Sequence, residues 1–431
     1  MAKTLLIKNG KYVDPVSQTV QMMDILVEDN LVIRMEQGIV APEAEILDAS
    51  GCYVTPGLID MHVHLREPGR EDEETVYSGT RTAALGGITS VACMPNTNPP
   101  IDDRAGVSLI LAKAREEGAA NVFPIAAITK QMQGEELTEF GDLKAAGAVA
   151  VSDDGVSVMN AEVMRRALEY SKAFDLTVIQ HAEDKNLAGE GVMNEGYWST
   201  VLGLRGIPNT AESVMVGRDI LLSEMTGAKY HVAHISTLRS VDLVRQGKRR
   251  DVKITCEVMP HHFTLTDEAV KSYDSNTKMN PPLRSESDRQ ALLDGLQDGT
   301  IDVIASDHAP HAEFEKEQEY DRAPFGIVGL QTILPLTMTE LVHKNILTIE
   351  QAIAKLTVNP ARILGIDRGI LAPGKVADIT VIDPHKKVLV TKEWLQGPSK
   401  NTPFIGMELE GCAVATIVAG KIVMKDGELL I

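Results

Sequence analysis

The chain has 431 residues, 44% of them hydrophobic, which is enough to bury a large core in one to three domains. Its formal charge of −19 argues against nucleic acid or an anionic membrane as partner, since both demand a basic face. No apolar run approaches the roughly 20 residues of a membrane span. The opening Leu5-Leu6-Ile7 is too short for the core of a secretory signal, so a cytoplasmic location is expected. Cys52, Cys93, Cys256 and Cys412 stand singly, with no Cys-x-x-Cys, and read as buried thiols.

In chain order, residues 4–14 read as two short strands joined by an Asn9-Gly10 hairpin turn, a pair that tolerates positive φ. A second hairpin is expected where residues 25–27 and 31–33 flank Asp29-Asn30. The far end has the same texture: residues 377–382, then 414–418, a Gly420 turn, 422–424, and an Asp426-Gly427 turn before a last strand. Because the termini of a domain commonly lie close together, residues 1–54 and 367–431 are expected to form one small β-sandwich, interrupted by residues 55–366.

Within that insertion, short apolar runs alternate with helical stretches. The runs are residues 58–63, 90–94, 122–126, 148–152, 177–180, 230–234, 253–258 and 301–305. Between them lie patterns such as residues 161–174, where Val163, Met164, Ala167, Leu168 and Phe174 share one face and Arg165, Arg166, Glu169 and Lys172 the other. Eight strands alternating with helices give an α/β fold, a closed parallel (β/α)8 barrel with its chemistry at the C-terminal strand ends.

The polar residues gather at those ends. His62 and His64 alternate along the first strand and so point the same way. Asn96 follows the second strand, Asp153-Asp154 the fourth, His181 the fifth, His234 the sixth, His261-His262 the seventh and Asp307-His308 the eighth. Two histidines on a buried strand are most often satisfied by backbone groups, but core histidines have no reason to choose one end of every strand. His62, His64, Asp154, His181, His234 and Asp307 supply six nitrogen and oxygen ligands of the kind zinc takes, which suggests two ions. Asp307, on the last strand, is placed to hold the proton given up by an attacking water. Arg66 is a planar cation suited to a carboxylate. The charged run at residues 313–322 lies at the barrel mouth, a solvated loop or a mobile lid without apolar anchors.

The sequence resembles the amidohydrolase superfamily and, within it, the bacterial dihydroorotases that bridge their metals with an aspartate. The residues that carry this are Asp60-Met-His-Val-His-Leu-Arg-Glu-Pro-Gly69, Met94-Pro-Asn-Thr-Asn98, Ser152-Asp-Asp-Gly155, His181-Ala-Glu183, His234-Ile-Ser236, Met279-Asn-Pro-Pro282, Ser306-Asp-His-Ala-Pro-His311 and Pro324-Phe-Gly326. Asn359-Pro-Ala-Arg362 and Pro373-Gly-Lys-Val-Ala-Asp378 extend the resemblance to essentially the whole chain. It implies reversible closure of N-carbamoyl-L-aspartate to L-dihydroorotate and water, with two zinc ions per subunit. By motif position, His62, His64 and Asp307 would hold one zinc, His181 and His234 the second, and Asp154 would bridge them. Spacing alone does not separate Asp153 from Asp154; the family match favours Asp154. His64, Arg66, Asn96 and His311 would meet the substrate, the last three clasping its α-carboxylate, with Asn280 and the Phe325-Gly326 backbone on the ring amides. His261, His262 and His308 match no ligand position and are expected to be structural. The resemblance also implies a homodimer and leaves room for contact with aspartate transcarbamoylase.

Two rival readings remain. Hydantoinases, dihydropyrimidinases and allantoinases of the same superfamily generally bridge their metals with a carboxylated lysine on strand four, where this chain has no lysine after Lys144. A metal-free scaffold partner of aspartate transcarbamoylase would have lost ligands, and here every expected one is present.

Overall fold

The computed structural model describes residues 4–431. Eight parallel strands follow one another in chain order: Leu58–Val63, Ile88–Cys93, Asn121–Ala126, Ala150–Ser152, Thr177–Gln180, Tyr230–Val232, Ile254–Val258 and Val303–Ile304. Every residue of the first, second and fifth is buried. A barrel strand lies between interior side chains and an outer layer of helices, which is why these segments are near-continuous apolar runs. The last strand meets the first at the C-terminal end: Val63 and His308 form a parallel bridge, and the His64 N–H donates to the His308 carbonyl at 2.9 Å. Deeper in, the Asp60 carboxylate accepts from the Ser306 N–H at 3.1 Å.

The helices take the faces their sequences specify. In Ala161–Ser171 the Asn160 side chain caps the first turn by accepting from the Glu162 and Val163 N–H groups, and Met164, Ala167 and Leu168 are buried. Among the described residues no helix is long and apolar enough to cross a membrane.

The two chain ends share one nine-stranded sheet. Its order runs Glu428–Leu429, Lys421–Lys425, Glu408–Val418, Ile379–Leu389, Tyr53–Pro56, Thr4–Asp14, Thr19–Glu28 and Leu31–Glu36, with Glu45–Asp48 beside Thr4–Asp14. Tyr53–Pro56 pairs antiparallel with Ile379–Leu389, so the C-terminal strands complete what the N-terminal ones begin. The Asn9-Gly10 hairpin is not formed. Thr4–Asp14 is one strand paired throughout with Thr19–Glu28, and the positive φ of Asn9, 60°, makes a bulge between Ile7 and Gly10. Gly10 packs against Val54, where a Cβ would fall 2.3 Å from Cγ2. The turns at Asp29, at Ala419-Gly420 and at Asp426-Gly427 form as expected, each at positive φ.

We propose Gly57 as the seam between sheet and barrel. Its N–H donates to the Asp378 carbonyl at 2.7 Å, and a Cβ there would fall 2.1 Å from the Thr89 hydroxyl. Ile382, Ala413 and Met424 of the terminal sheet belong to the same buried cluster as Ile88 and Leu334 of the barrel.

Residues 313–322 are open to two readings in the sequence, a solvated loop or a mobile lid; most of their side chains are exposed, but Lys316 and Tyr320 are buried and anchor the stretch. Glu313–Lys316 forms a helical turn, and the buried Lys316 ammonium donates to the carbonyls of Pro324 at 2.8 Å, Gly326 at 3.1 Å and Lys278 at 3.4 Å. Tyr320 is buried with Val192, Met193 and Val270.

Candidate active site

Six of the singled-out side chains converge at the C-terminal mouth of the barrel. His62 Nε2 lies 3.5 Å from Asp154 Oδ1 and 3.5 Å from Asp307 Oδ1. His64 Nε2 lies 3.0 Å from Asp307 Oδ1 and 3.5 Å from Asp154 Oδ2. His234 Nε2 is 3.6 Å and His181 Nδ1 3.8 Å from Asp154 Oδ1, and these two nitrogens are 2.8 Å apart. The Asp154 oxygens thus face different histidines, Oδ2 toward His64 and Oδ1 toward His62, His181 and His234.

The arrangement fits a metal. Bonds of about 2.0–2.1 Å in a tetrahedral zinc site put neighbouring ligand atoms about 3.3 Å apart, close to the spacings here. Ligand atoms within 4.8 Å of one another form two groups, His62-His64-Asp307 and His62-Asp154-His234. His62 Nε2 and Asp154 Oδ1 are buried without a hydrogen-bond partner, the state of atoms that reserve a lone pair for an ion. Two strand-end residues, His234 and Asp307, hold positive φ of 32° and 49°, local strain of the kind that persists where the surroundings impose it.

Neighbouring groups orient the histidines. Glu257, a fully buried carboxylate on Ile254–Val258, lies 2.5 Å from His62 Nδ1, which fixes the proton there and turns Nε2 toward the cluster. Burial resists ionisation of Glu257, but His62 and His231 outweigh it and bring its pKa down to about 2. The Asn96 Oδ1 lies 2.8 Å from His64 Nδ1 and does the same for that ring. Asp153 faces away: its Oδ1 accepts from the Ile128 and Thr129 N–H groups at 2.8 and 3.1 Å, and its Oδ2 from the Thr129 hydroxyl.

On the rim, Arg66 has φ of 60° and its Nη2 lies 3.5 Å from His311 Nε2. Asn280 Nδ2 is 3.5 Å from His181 Nε2, and its Oδ1 is buried without a partner. The Phe325 carbonyl lies 2.7 Å from His311 Nε2. The Gly326 N–H donates to Lys278, and its carbonyl accepts from Lys316 and Asn401, so its own polar groups are engaged within the protein. A Cβ on Gly326 would fall 2.6 Å from that of Ala309.

The three unassigned histidines are buried. His308 lies 3.2 Å from Glu74 through Nε2 and accepts the Gly329 N–H on Nδ1, bracing the chain behind the mouth. His262 Nε2 contacts the Pro281 carbonyl at 2.9 Å. Burial pushes the His261 imidazole down to about 4. Sequence reasoning missed Glu257 and Glu73. A lone acid inside the apolar strand of Glu257 is a signal that could have found the first; Glu73 hides in the exposed-looking run Glu71-Asp72-Glu73-Glu74.

Residues 51–240 match the family described as Dihydro-orotase-like, and residues 226–424 match the Amidohydrolase family. A dihydroorotase of Pelotomaculum thermopropionicum is 58% identical over 422 residues, 98% of this chain and 99% of that protein. The chain belongs to the dihydroorotase family. Dihydroorotases of Geobacter sp., at 54% identity over 98% of this chain and all of that one, and Acetivibrio thermocellus, at 51% over 99% and 100%, are similarly close.

Among solved structures, the L-hydantoinase (dihydropyrimidinase) of Arthrobacter aurescens superposes with a TM-score of 0.90 at 25% identity, over 100% of this chain and 98% of that one. The dihydropyrimidinase of Brevibacillus agri, with a TM-score of 0.87 at 22% identity over 99% and 96%, shares the fold. In this member of the dihydroorotase family Asp153-Asp154 follow strand four, which ends at Ser152, and Lys144 is exposed on helix Phe140–Ala146.

Proposed function

We infer that this protein is a metal-dependent cyclic amide hydrolase that interconverts N-carbamoyl-L-aspartate and L-dihydroorotate in pyrimidine biosynthesis, with two zinc ions per subunit. His62, His64 and Asp307 would hold one ion, His181 and His234 the other, and the two oxygens of Asp154 suit a bridge between them. When bound, such a pair supplies a nucleophile from water at neutral pH and polarises the attacked carbonyl. Asp307 takes the proton from the attacking water in hydrolysis and returns it to the leaving nitrogen. In ring closure it runs the same transfer backwards, as microscopic reversibility requires.

The substrate's α-carboxylate is held by Arg66, Asn96 and His311. Arg66 Nε lies 3.1 Å from the Pro310 carbonyl, which leaves the two Nη groups as the fork that grips an incoming anion. Asn96 turns its oxygen to His64 and one amide N–H toward Asp154 Oδ2 at 3.5 Å, which leaves the other for the same anion. Asn280 and the Phe325-Gly326 backbone contact the ring amides, with Phe325 the freer of the two backbone positions.

The observation that carries this reading is Arg66, nine-tenths buried at the mouth two residues beyond His64. Hydantoin and dihydrouracil have no carboxylate for the Nη edge of that guanidinium to bind. A direct assay of dihydroorotate, hydantoin, dihydrouracil and allantoin should show turnover of dihydroorotate alone. Comparable turnover of the uncharged rings would return the hydantoinase reading.

A further inference from the structure

In the acidic run at residues 71–74, Glu71 and Asp72 are exposed, while Glu73 and Glu74 are each 1% exposed. A buried carboxylate needs partners, and those of Glu73 include two arms of the clamp, Arg66 and His311. Its Oε2 lies 3.0 Å from Arg66 Nε, and its Oε1 lies 2.9 Å from His311 Nδ1 and 3.0 Å from an Arg70 Nη. Its backbone is pinned as well: the Glu73 N–H donates to the Arg70 carbonyl at 3.0 Å, and the Ser399 hydroxyl donates to the Glu73 carbonyl at 2.9 Å. Glu315 completes the group, 2.7 Å from Arg70 and 3.8 Å from His311 Nδ1. Two carboxylates and a histidine could suit a cation, but Arg66 and Arg70 already meet both acids, so the group is an ion-pair network.

The geometry determines what each arm presents. With Arg66 Nε held on the Glu73 side, the Nη edge of the guanidinium is what faces the mouth. With His311 Nδ1 held by the same carboxylate, its Nε2 faces Arg66 Nη2 across 3.5 Å. The Glu73 carboxylate, in contact with both, holds the two side chains at that spacing. We propose that Glu73 is a positioning residue for the substrate carboxylate, a single buried anion that sets the spacing and direction of Arg66 and His311. This rests on the clamp assigned above.

The test is Glu73→Gln, which keeps the shape and removes the charge. Loss of a group that orients a ligand's partner typically costs 10–100-fold. KM for dihydroorotate should therefore rise by about that factor while kcat stays within about threefold, the pattern of lost ground-state binding. Inhibition by dihydrouracil, the same ring without the carboxylate, should not change, and zinc content should match that of the unaltered enzyme. An unchanged KM overturns the proposal, as does equal weakening of both rings, which would mean general disorder of the pocket. Arg66→Met separates the two levels: raised KM there with normal KM in Glu73→Gln removes the role of Glu73 alone, while normal KM in both removes the clamp too. If Glu73→Gln does not fold, Glu73→Asp carries the test. Its side chain is too short to span both arms, so raised KM supports the proposal and unchanged KM overturns it.

Discussion

At His62 two forces oppose each other: burial disfavours its charge, yet Asp154, Glu257 and Asp307 surround it and raise its pKa well above the ordinary value. At His234 burial is likewise outweighed by the neighbouring Asp154 carboxylate, while His181 is lowered, by burial first and then by His234. Asp154 is held well below the carboxylate range despite burial, chiefly by His62. In the metal-free protein His62 and His234 therefore hold their protons more tightly than a free imidazole does. A ligand nitrogen must give up its proton to bind an ion. Because these pKa values are raised, protons compete increasingly as pH falls, so zinc affinity should weaken from pH 8 toward pH 6. Titration calorimetry of the chelator-treated protein in two buffers of different ionisation enthalpy should show proton release on zinc uptake. Glu257→Gln removes one of the three anions around His62; it should reduce that release and lower zinc affinity by about 10–100-fold, the usual cost of a lost orienting partner. Equal heats in the two buffers would mean the nitrogens were neutral beforehand.

At the scale of elements, residues 313–322 should behave as part of the wall. The Lys316 ammonium ties the turn after His311 to the carbonyls of Pro324, Gly326 and Lys278, and so joins segments that carry Phe325 and Asn280. Lys316→Met would leave the Pro324 carbonyl without a donor, at about 1–3 kcal/mol for such a group, and would remove one of two donors from the Gly326 and Lys278 carbonyls. Limited proteolysis should find this stretch resistant in the unliganded enzyme and cut in Lys316→Met; rapid cutting of the unaltered enzyme would restore the mobile lid. The sequence left both a loop and a lid open because charges are visible there and tertiary acceptors are not. Where burial comes from the element itself, the sequence was legible: residues 58–63 and 177–180 are strands with the bounds read from their apolar runs, because a barrel strand is buried on both faces. Residues 230–234 end two residues early, since His234 turns to positive φ at the site. Asn9-Gly10 carries turn chemistry that serves a hairpin or a bulge equally well. Only the partner strand Thr19–Glu28, continuous across the position, decides between them. Glu73 was illegible for a similar reason, since nothing in four consecutive acids says which two face inward.

For the whole molecule, the question is whether barrel and terminal sheet unfold together. Thr380 and Thr416, on strands of the terminal sheet, donate to the Gly87 and Ala84 carbonyls at 2.7 Å each, at the end of barrel helix Val76–Leu85 and just beyond it. Asp378 accepts from Asn121, at the start of the third barrel strand, at 3.0 Å and pairs with Arg368 at 2.8 Å. With the shared apolar cluster that includes Met424 and Ile88, neither part can leave without exposing the core of the other. One cooperative transition is expected. A bound metal ion would enter this only at the barrel mouth, yet by mass action an ion at 100 times its Kd stabilises the folded state by about 2.7 kcal/mol. Spread over an unfolding entropy of about 2.1 cal/mol/K per residue for the whole chain, that raises Tm by about 3 °C per ion. Scanning calorimetry of zinc-loaded and chelator-treated protein should therefore show a single peak that moves as a unit. Two peaks, with only one displaced by zinc, would show that the terminal sheet folds independently of the barrel.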